Sequence, residues 1–349
     1  MPDPFKILIV GPAWIGDMVM AQSLFKVLKA RKPAPRIDVL ASAWTLPLLS
    51  LMPEVDNTIE MPLGHGKLSF GLRFKLGRFL AEQQYDQAIL LPNSFKSALV
   101  PFFAGIPLRT GWRGEMRYFL VNDIRLLLKS AYPLMVQRYL ALGYEPGAKL
   151  PEDFPFPHLQ VPPKKCEQIL TKLGLRRDRP LLVICPGAEY GPAKRWPETY
   201  FAAVAQQKIR EGWQVWLMGS AKDQPVAETI RQQLDEDQQS LCINLAGTTQ
   251  LDEAIALMAL ADAVVTNDSG LMHIAAALER PLVVIYGSTS PGFTPPLAKQ
   301  VKMLSLNLDC SPCFERHCPK KHHRCLKDLP PAQVLEALQE LVPLTTITP

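Results

Sequence analysis

The chain alternates, from near its first residues almost to its last, between short apolar, β-branched runs and longer stretches of helical periodicity. The runs expected to be strands cover residues 6–10, 36–41, 87–91, 181–185, 213–218, 262–266 and 281–286. The expected helices cover 18–31, 68–83, 197–211, 225–235, 251–261 and 271–278. Strands that read as unbroken apolar runs, each followed by a helix, belong to parallel sheets covered on both faces. The alternation breaks once, where Pro146, Pro151, Pro155, Pro157, Pro162 and Pro163 crowd a weakly periodic stretch of linker character. The expected architecture is therefore α/β, with two Rossmann-like doubly wound domains in tandem. The expected boundaries are 1–160 and 161–330, followed by a C-terminal helix in 331–349 that packs back on the first domain. Ligands of such domains bind at the carboxyl ends of the strands, so two sites are expected to face each other across a cleft.

A length of 349 residues suits two cores. No apolar run is long enough to span a membrane. The first residues enter a strand directly, without the basic, apolar and small-residue layout of a signal peptide. Seven cysteines, an odd number, fit reduced thiols. These features point to a cytoplasmic protein. The net charge of +5 is mild, but its distribution is uneven. Residues 64–78 carry His65, Lys67, Arg73, Lys75 and Arg78 and no acid. Residues 94–117 add Lys96, Arg109, Arg113 and Arg117 against Glu115 alone. Phe70, Phe74, Phe95, Trp112 and Tyr118 are interleaved with these cations. Such a surface suits an anionic, partly apolar partner; the competing reading is a pair of solvated helix faces.

Four strand-to-helix junctions carry candidate chemistry. The first, Gly11-Pro12-Ala13-Trp14-Ile15-Gly16-Asp17-Met18, lacks the G-x-G-x-x-G of dinucleotide-binding domains. It delivers one carboxylate, Asp17, to a helix start, where the dipole favours the charged form and a general base is suitably placed. A plain N-cap is the other reading. The second junction runs from Pro186 and Gly187 to Lys194, Arg195, Trp196 and Pro197, with small residues that permit close ligand approach and Lys194 as a phosphate contact. The third holds Ser220 and Asp223, and Asp223 serves either as a ribose-binding acid or as a cap. The fourth, Asn267-Asp268-Ser269-Gly270-Leu271-Met272-His273, opens a helix whose N–H groups and dipole favour a phosphate. There Asp268 is expected to bond backbone N–H groups or sugar hydroxyls. His273 is expected either to donate to a phosphate oxygen when protonated or to be a satisfied core histidine.

Finally, Cys310, Cys313, Cys318 and Cys325, with His317, His322 and His323 among them, suggest a structural zinc site or a reduced Cys-rich loop. Nothing points to a catalytic metal.

Taken together, these blocks resemble the ADP-heptose:lipopolysaccharide heptosyltransferases, glycosyltransferase family 9, with the two-domain GT-B fold. The resemblance runs nearly end to end. It is carried by Gly11 to Met18, Leu91-Pro92-Asn93-Ser94-Phe95-Lys96-Ser97-Ala98, Arg109 to Arg117, Pro186 to Pro197 and Thr266 to His273. Within the second and third of these blocks, Asn93 to Ser97 and Gly111 to Arg117 resemble the type II branch, which adds the second heptose of the inner core.

The resemblance implies an inverting transferase with Asp17 as base and no required cofactor. It places Gly187, Lys194, Ser220, Asp223, Asp268, Ser269, Gly270 and His273 at the ADP-heptose site. The acceptor, heptosyl-Kdo2-lipid A on the cytoplasmic face of the inner membrane, is expected to meet Lys67, Arg73, Lys96, Arg109, Arg113 and Arg117. Peripheral membrane contact and no nucleic acid are expected. The alternatives are a type I or III acceptor position, another nucleotide-sugar enzyme such as an epimerase, or a nucleic-acid-binding module using the basic first half and a zinc-loaded loop.

Overall fold

The structure, a computed structural model, describes residues 4–63 and 68–343. It divides into two compact units, Met1–Pro157 and His158–Pro349. The first unit runs β1 (Lys6–Val10), α1 (Ile15–Lys29), β2 (Arg36–Ser42), α2 (Leu46–Leu49), β3 (Asn57–Met61), α3 (Phe70–Ala81), β4 (Gln87–Leu90), α4 (Leu99–Phe103), β5 (Leu108–Trp112), β6 (Asp123–Arg125) and α5 (Met135–Leu140). Its six strands are parallel and lie in the order β3-β2-β1-β4-β5-β6.

The second unit runs α6 (Pro163–Leu173), β7 (Leu181–Cys185), α7 (Glu198–Arg210), β8 (Gln214–Leu217), α8 (Gln224–Gln232), α9 (Glu236–Gln239) and β9 (Cys242–Asn244). It continues with α10 (Leu251–Met258), β10 (Ala263–Asn267), α11 (Gly270–Ala277), β11 (Leu282–Ile285), β12 (Val301–Leu304), α12 (Arg324–Lys327) and α13 (Pro331–Leu341). Its parallel order is β12-β11-β10-β7-β8-β9.

The central strands are the apolar runs. Every residue of β7, β10 and β11 is buried, as is all of β1 after Lys6. The strands without a sequence signal are peripheral or polar: β3 reads NTIEM and β6 reads DIR, and neither has a buried residue. Helix α13 packs on α7, β11 and β12, and it buries Val334, Ala337 and Leu338 in the second unit's core.

Each sheet reverses direction once. In the first unit the chain builds β1, β2 and β3 outward and then returns to place β4 on the other side of β1. In the second, β10 returns beside β7. Loops leaving adjacent strands in opposite directions open a crevice at such a point, which is where ligands of doubly wound sheets bind.

Candidate active site

At the first switch point the loops that follow β1 and β4 border a cavity of about 560 Å³. Pro12, Ala13, Trp14 and Asp17 line it from one loop and Leu91 to Lys96 from the other; Leu68, Glu115, Met135 and Tyr139 complete it. Asp17 stands in the first turn of α1. Tyr139, on α5, is buried, and its hydroxyl hydrogen-bonds the Asp17 carboxylate; burial first, and then that carboxylate, hold the phenol well above its usual range. The phenol therefore stays protonated and donates, which fixes the carboxylate's orientation. Tyr139 was not singled out from the sequence, because nothing local links it to a residue so far back along the chain. Helix α5 packing along α1 creates the pair.

The expected acceptor cations separate into different roles. Lys96 lines the cavity. Arg117 is buried and works as scaffold: Nη1 donates to the Pro92 carbonyl at 2.7 Å and Ser97 Oγ at 3.0 Å, and Nη2 to the Trp112 carbonyl at 2.9 Å. It also reaches Asn93 Oδ1 at 3.2 Å, so one guanidinium holds the cavity's second loop from behind. Burial lowers its pKa to about 10, which leaves it charged at neutral pH. A side chain at Gly114 would put its Cβ 2.7 Å from the Asn93 carbonyl oxygen, so this close approach requires glycine.

Arg73 is also buried, and its guanidinium donates to the Leu68 and Lys96 carbonyls at 2.7 and 3.0 Å. Arg109 donates to the carbonyls of Leu120 and Ile106. These three arginines order the loops that carry them. Arg113 is exposed and does not line the cavity. Lys67 lies outside the described residues.

At the second switch point the loops after β7 and β10 are tied together. Lys194 Nζ lies 2.6 Å from Asp268 Oδ2 and 4.9 Å from the centre of the Tyr190 ring. Thr289 Oγ1 donates to the same carboxylate oxygen at 2.5 Å. Asn267 Nδ2 donates to the Pro186 carbonyl at 2.7 Å, and its Oδ1 accepts from the Trp196 amide at 3.1 Å. Asp268 is thus the counter-ion of Lys194, where bonds to backbone N–H groups or sugar hydroxyls were expected. Ser269 takes the N-cap position of α11 without a side-chain cap bond, and Gly270 begins the helix.

His273 is buried, and desolvation lowers its pKa to about 4, with Asp268 opposing and Lys194 adding to the effect. At neutral pH it is an uncharged imidazole in this structure, in keeping with the core-histidine alternative.

Asp223 closes a capping box, its Oδ2 accepting from the Ser220 amide at 2.9 Å and from Ser220 Oγ at 2.8 Å. Its carboxylate lies over Gly187, where any Cβ would approach within 2.4 Å. Gly187 is therefore small to admit Asp223, and the capping reading of that acid accounts for its bonds.

The cysteine run is not gathered as a ligand set. Among the described residues no group of three or more His, Cys, Asp or Glu side chains is placed to hold a metal. Cys310 Sγ and His322 Nε2 lie 4.0 Å apart. The Cys325 thiol is pushed up by burial and then by Cys318, Cys310 and Cys313.

The glycosyltransferase family 9 (heptosyltransferase) model matches residues 73–324. The chain belongs to that family. It is 53% identical over 342 residues to lipopolysaccharide heptosyltransferase 2 of Escherichia coli strain K12, covering 97% of this chain and 98% of that protein. It is 50% identical to lipooligosaccharide heptosyltransferase 2 of Haemophilus influenzae, covering 97% and 99%. The solved structure of the E. coli ADP-heptose lps heptosyltransferase II superposes with a TM-score of 0.88 at 50% identity, covering 98% of this chain and 99% of that one. The fold is accordingly the GT-B architecture of this family, and the chain is a glycosyltransferase.

Proposed function

We propose that this transferase moves L-glycero-D-manno-heptose from ADP-heptose to heptosyl-Kdo2-lipid A and so adds the second heptose of the lipopolysaccharide inner core. The observation that carries the reading is the carboxylate of Asp17, held by a buried tyrosine hydroxyl in a cavity at a switch point. The acceptor sugar occupies that cavity, with Lys96 meeting one of its anionic groups. Its hydroxyl oxygen attacks the anomeric carbon of the donor from the face opposite the diphosphate. The bond from that carbon to the ADP oxygen breaks, ADP departs with the electron pair, and Asp17 receives the hydroxyl proton.

The donor's diphosphate lies at the second unit's switch point, against the N–H groups that open α11 and against Lys194. Charge growing on the departing ADP is stabilised there. The acceptor is anchored in lipid, so the enzyme works at a membrane surface. Among the described residues no helix is long and apolar enough to cross one, and contact is peripheral.

The deciding experiment incubates the protein with ADP-heptose and a set of defined truncated lipid acceptors and weighs the products. Addition of one heptose to heptosyl-Kdo2-lipid A, and none to Kdo2-lipid A, is expected. The reverse preference, or no transfer to either, rejects the assignment.

A further inference from the structure

Helix α3 is built inside out. Its buried residues are Arg73, Gly77 and Leu80. Apart from Leu80 and the half-buried Leu76, its large apolar side chains point outward: Phe70 is 55% exposed, Phe74 47%, Phe79 60% and Leu72 42%. The neighbouring α4 extends the patch. Phe103 packs edge-on against both Phe70 and Phe74, with ring centres 5.1 and 5.2 Å away. Exposed Phe102 adjoins Phe103 at 5.7 Å.

The arrangement is fixed from beneath. A Cβ at Gly77 would lie 2.4 Å from Phe103 Cβ and 2.9 Å from the Val100 carbonyl oxygen, so α3 and α4 touch backbone to backbone. The Arg73 guanidinium is committed to carbonyls on the inner side. Phe70, Phe74, Phe103 and Phe102 form one contiguous, partly exposed aromatic group, and Phe79 and Leu72 flank the exposed arc of α3 on its other side. An exposed apolar group of this kind marks an interaction surface.

Charge identifies the occupant. Lys75 and Arg78 are exposed on the same helix, and residues 68–81 contain no acid. Arg109 lies over the Phe102 ring, 5.7 Å from its centre. Aromatic and leucine side chains on an outer face, with cations that can reach past them, are what a helix lying in the interface of an anionic bilayer presents.

We infer that α3 and α4 form the face by which this enzyme docks on an anionic phospholipid bilayer. Leu68, just before α3, is half-exposed and also lines the Asp17 cavity. The docking face therefore reaches the cavity's rim, and a lipid-anchored acceptor can enter the cavity while its chains stay in the membrane. That last step rests on the functional reading; the surface itself does not.

The test is co-sedimentation of the full chain with vesicles of phosphatidylcholine, with and without phosphatidylglycerol. The wild-type protein should bind the mixed vesicles and release in high salt. Phe74→Glu/Phe79→Glu should weaken that binding about tenfold or more, and Lys75→Ala/Arg78→Ala should weaken it by a smaller factor. Both variants change only exposed side chains, and an unaltered melting curve confirms their folding. Undiminished vesicle binding by a folded Phe74→Glu/Phe79→Glu variant overturns the inference. So does an oligomer of the wild type that this variant converts to a monomer while vesicle binding persists, because a second copy would then be the occupant. A wild type that binds vesicles but transfers no heptose refutes the functional reading and leaves the docking face standing.

Discussion

The two switch points occupy equivalent places in two sheets of the same topology, yet they are built in opposite ways. The first is an opening: it offers a cavity, the Asp17 carboxylate with its oriented hydroxyl, and a second carboxylate, Glu115, that is bonded to the Phe95 amide, and its arginines hold the loops from outside the cavity. The second is a knot, in which Lys194, Asp268, Thr289 and Asn267 tie the loop after β7 to the strand and loop around Asp268. Loss of a key side chain should therefore abolish chemistry at the first point and unsettle the fold at the second.

The largest effect is expected at Asp17. Asp17→Asn should reduce kcat by ~10²–10⁴-fold, the scale of a positioned acid or base. Its melting temperature and its calorimetric affinity for ADP should stay close to the wild type. Lost ADP binding in that variant would mean that the first point is not separate from donor recognition, and the contrast between the two sites would fail.

At the knot, Lys194→Ala leaves the Asp268 carboxylate without its cation, and the two side chains are only 13% and 5% exposed. Removing one partner of a buried pair should cost about 3 kcal/mol of stability. Urea unfolding reads this, and the double variant Lys194→Ala/Asp268→Ala should recover part of the loss. ADP affinity should fall in both variants. A fully stable single variant would show that the ion pair does not hold the loops.

His273 sharpens the same point through pH. Its folded pKa, about 4, lies below the ordinary histidine value of 6.5. The unfolded chain then binds the extra proton between those values, so the stabilising contribution is complete above about pH 6.5 and is lost as pH falls towards 4. The difference amounts to about 3 kcal/mol. His273→Gln should be less sensitive to acid across that window than the wild type. An identical slope of unfolding free energy against pH would remove His273 as the cause.

These contrasts explain which features were readable in the sequence. Central strands announce themselves by burial: β1 and β7 appear in the structure with the expected boundaries, because apolar β-branched runs have no other place to go. Strands β3, β5, β6, β9 and β12 gave no such signal, being short or carrying polar residues at positions that periodicity would reserve for the core.

Junction residues with a local chemical pattern, Asp17, Lys194 and Asp268, were visible because strand-to-helix turns concentrate function. Their partners were not, because pairing is a product of tertiary packing. Positive charge was the least specific signal. Arg73, Arg109 and Arg117 look in sequence like cations awaiting an anion, whereas each is held by backbone carbonyls that only the folded loops supply. An arginine has enough donors to organise a loop by itself, and composition cannot distinguish that use from ligand binding.

The smallest expected effect tests the opening most finely. Tyr139→Phe deletes one hydroxyl and keeps the buried ring, so the packing of α5 on α1 should survive. A hydrogen bond to a charged group contributes about 1.5–3 kcal/mol, and its loss here should lower kcat about tenfold or somewhat more. Reduced activity alone would not distinguish a positioning role from a general loosening of the site. A double-mutant cycle does. If the hydroxyl acts by orienting the Asp17 carboxylate, Tyr139→Phe should cost almost nothing further in the Asp17→Asn background, because the group it positions is already gone. Additive losses would mean that the tyrosine contributes by another route, and that Asp17 is held ready for the acceptor hydroxyl by something other than this bond.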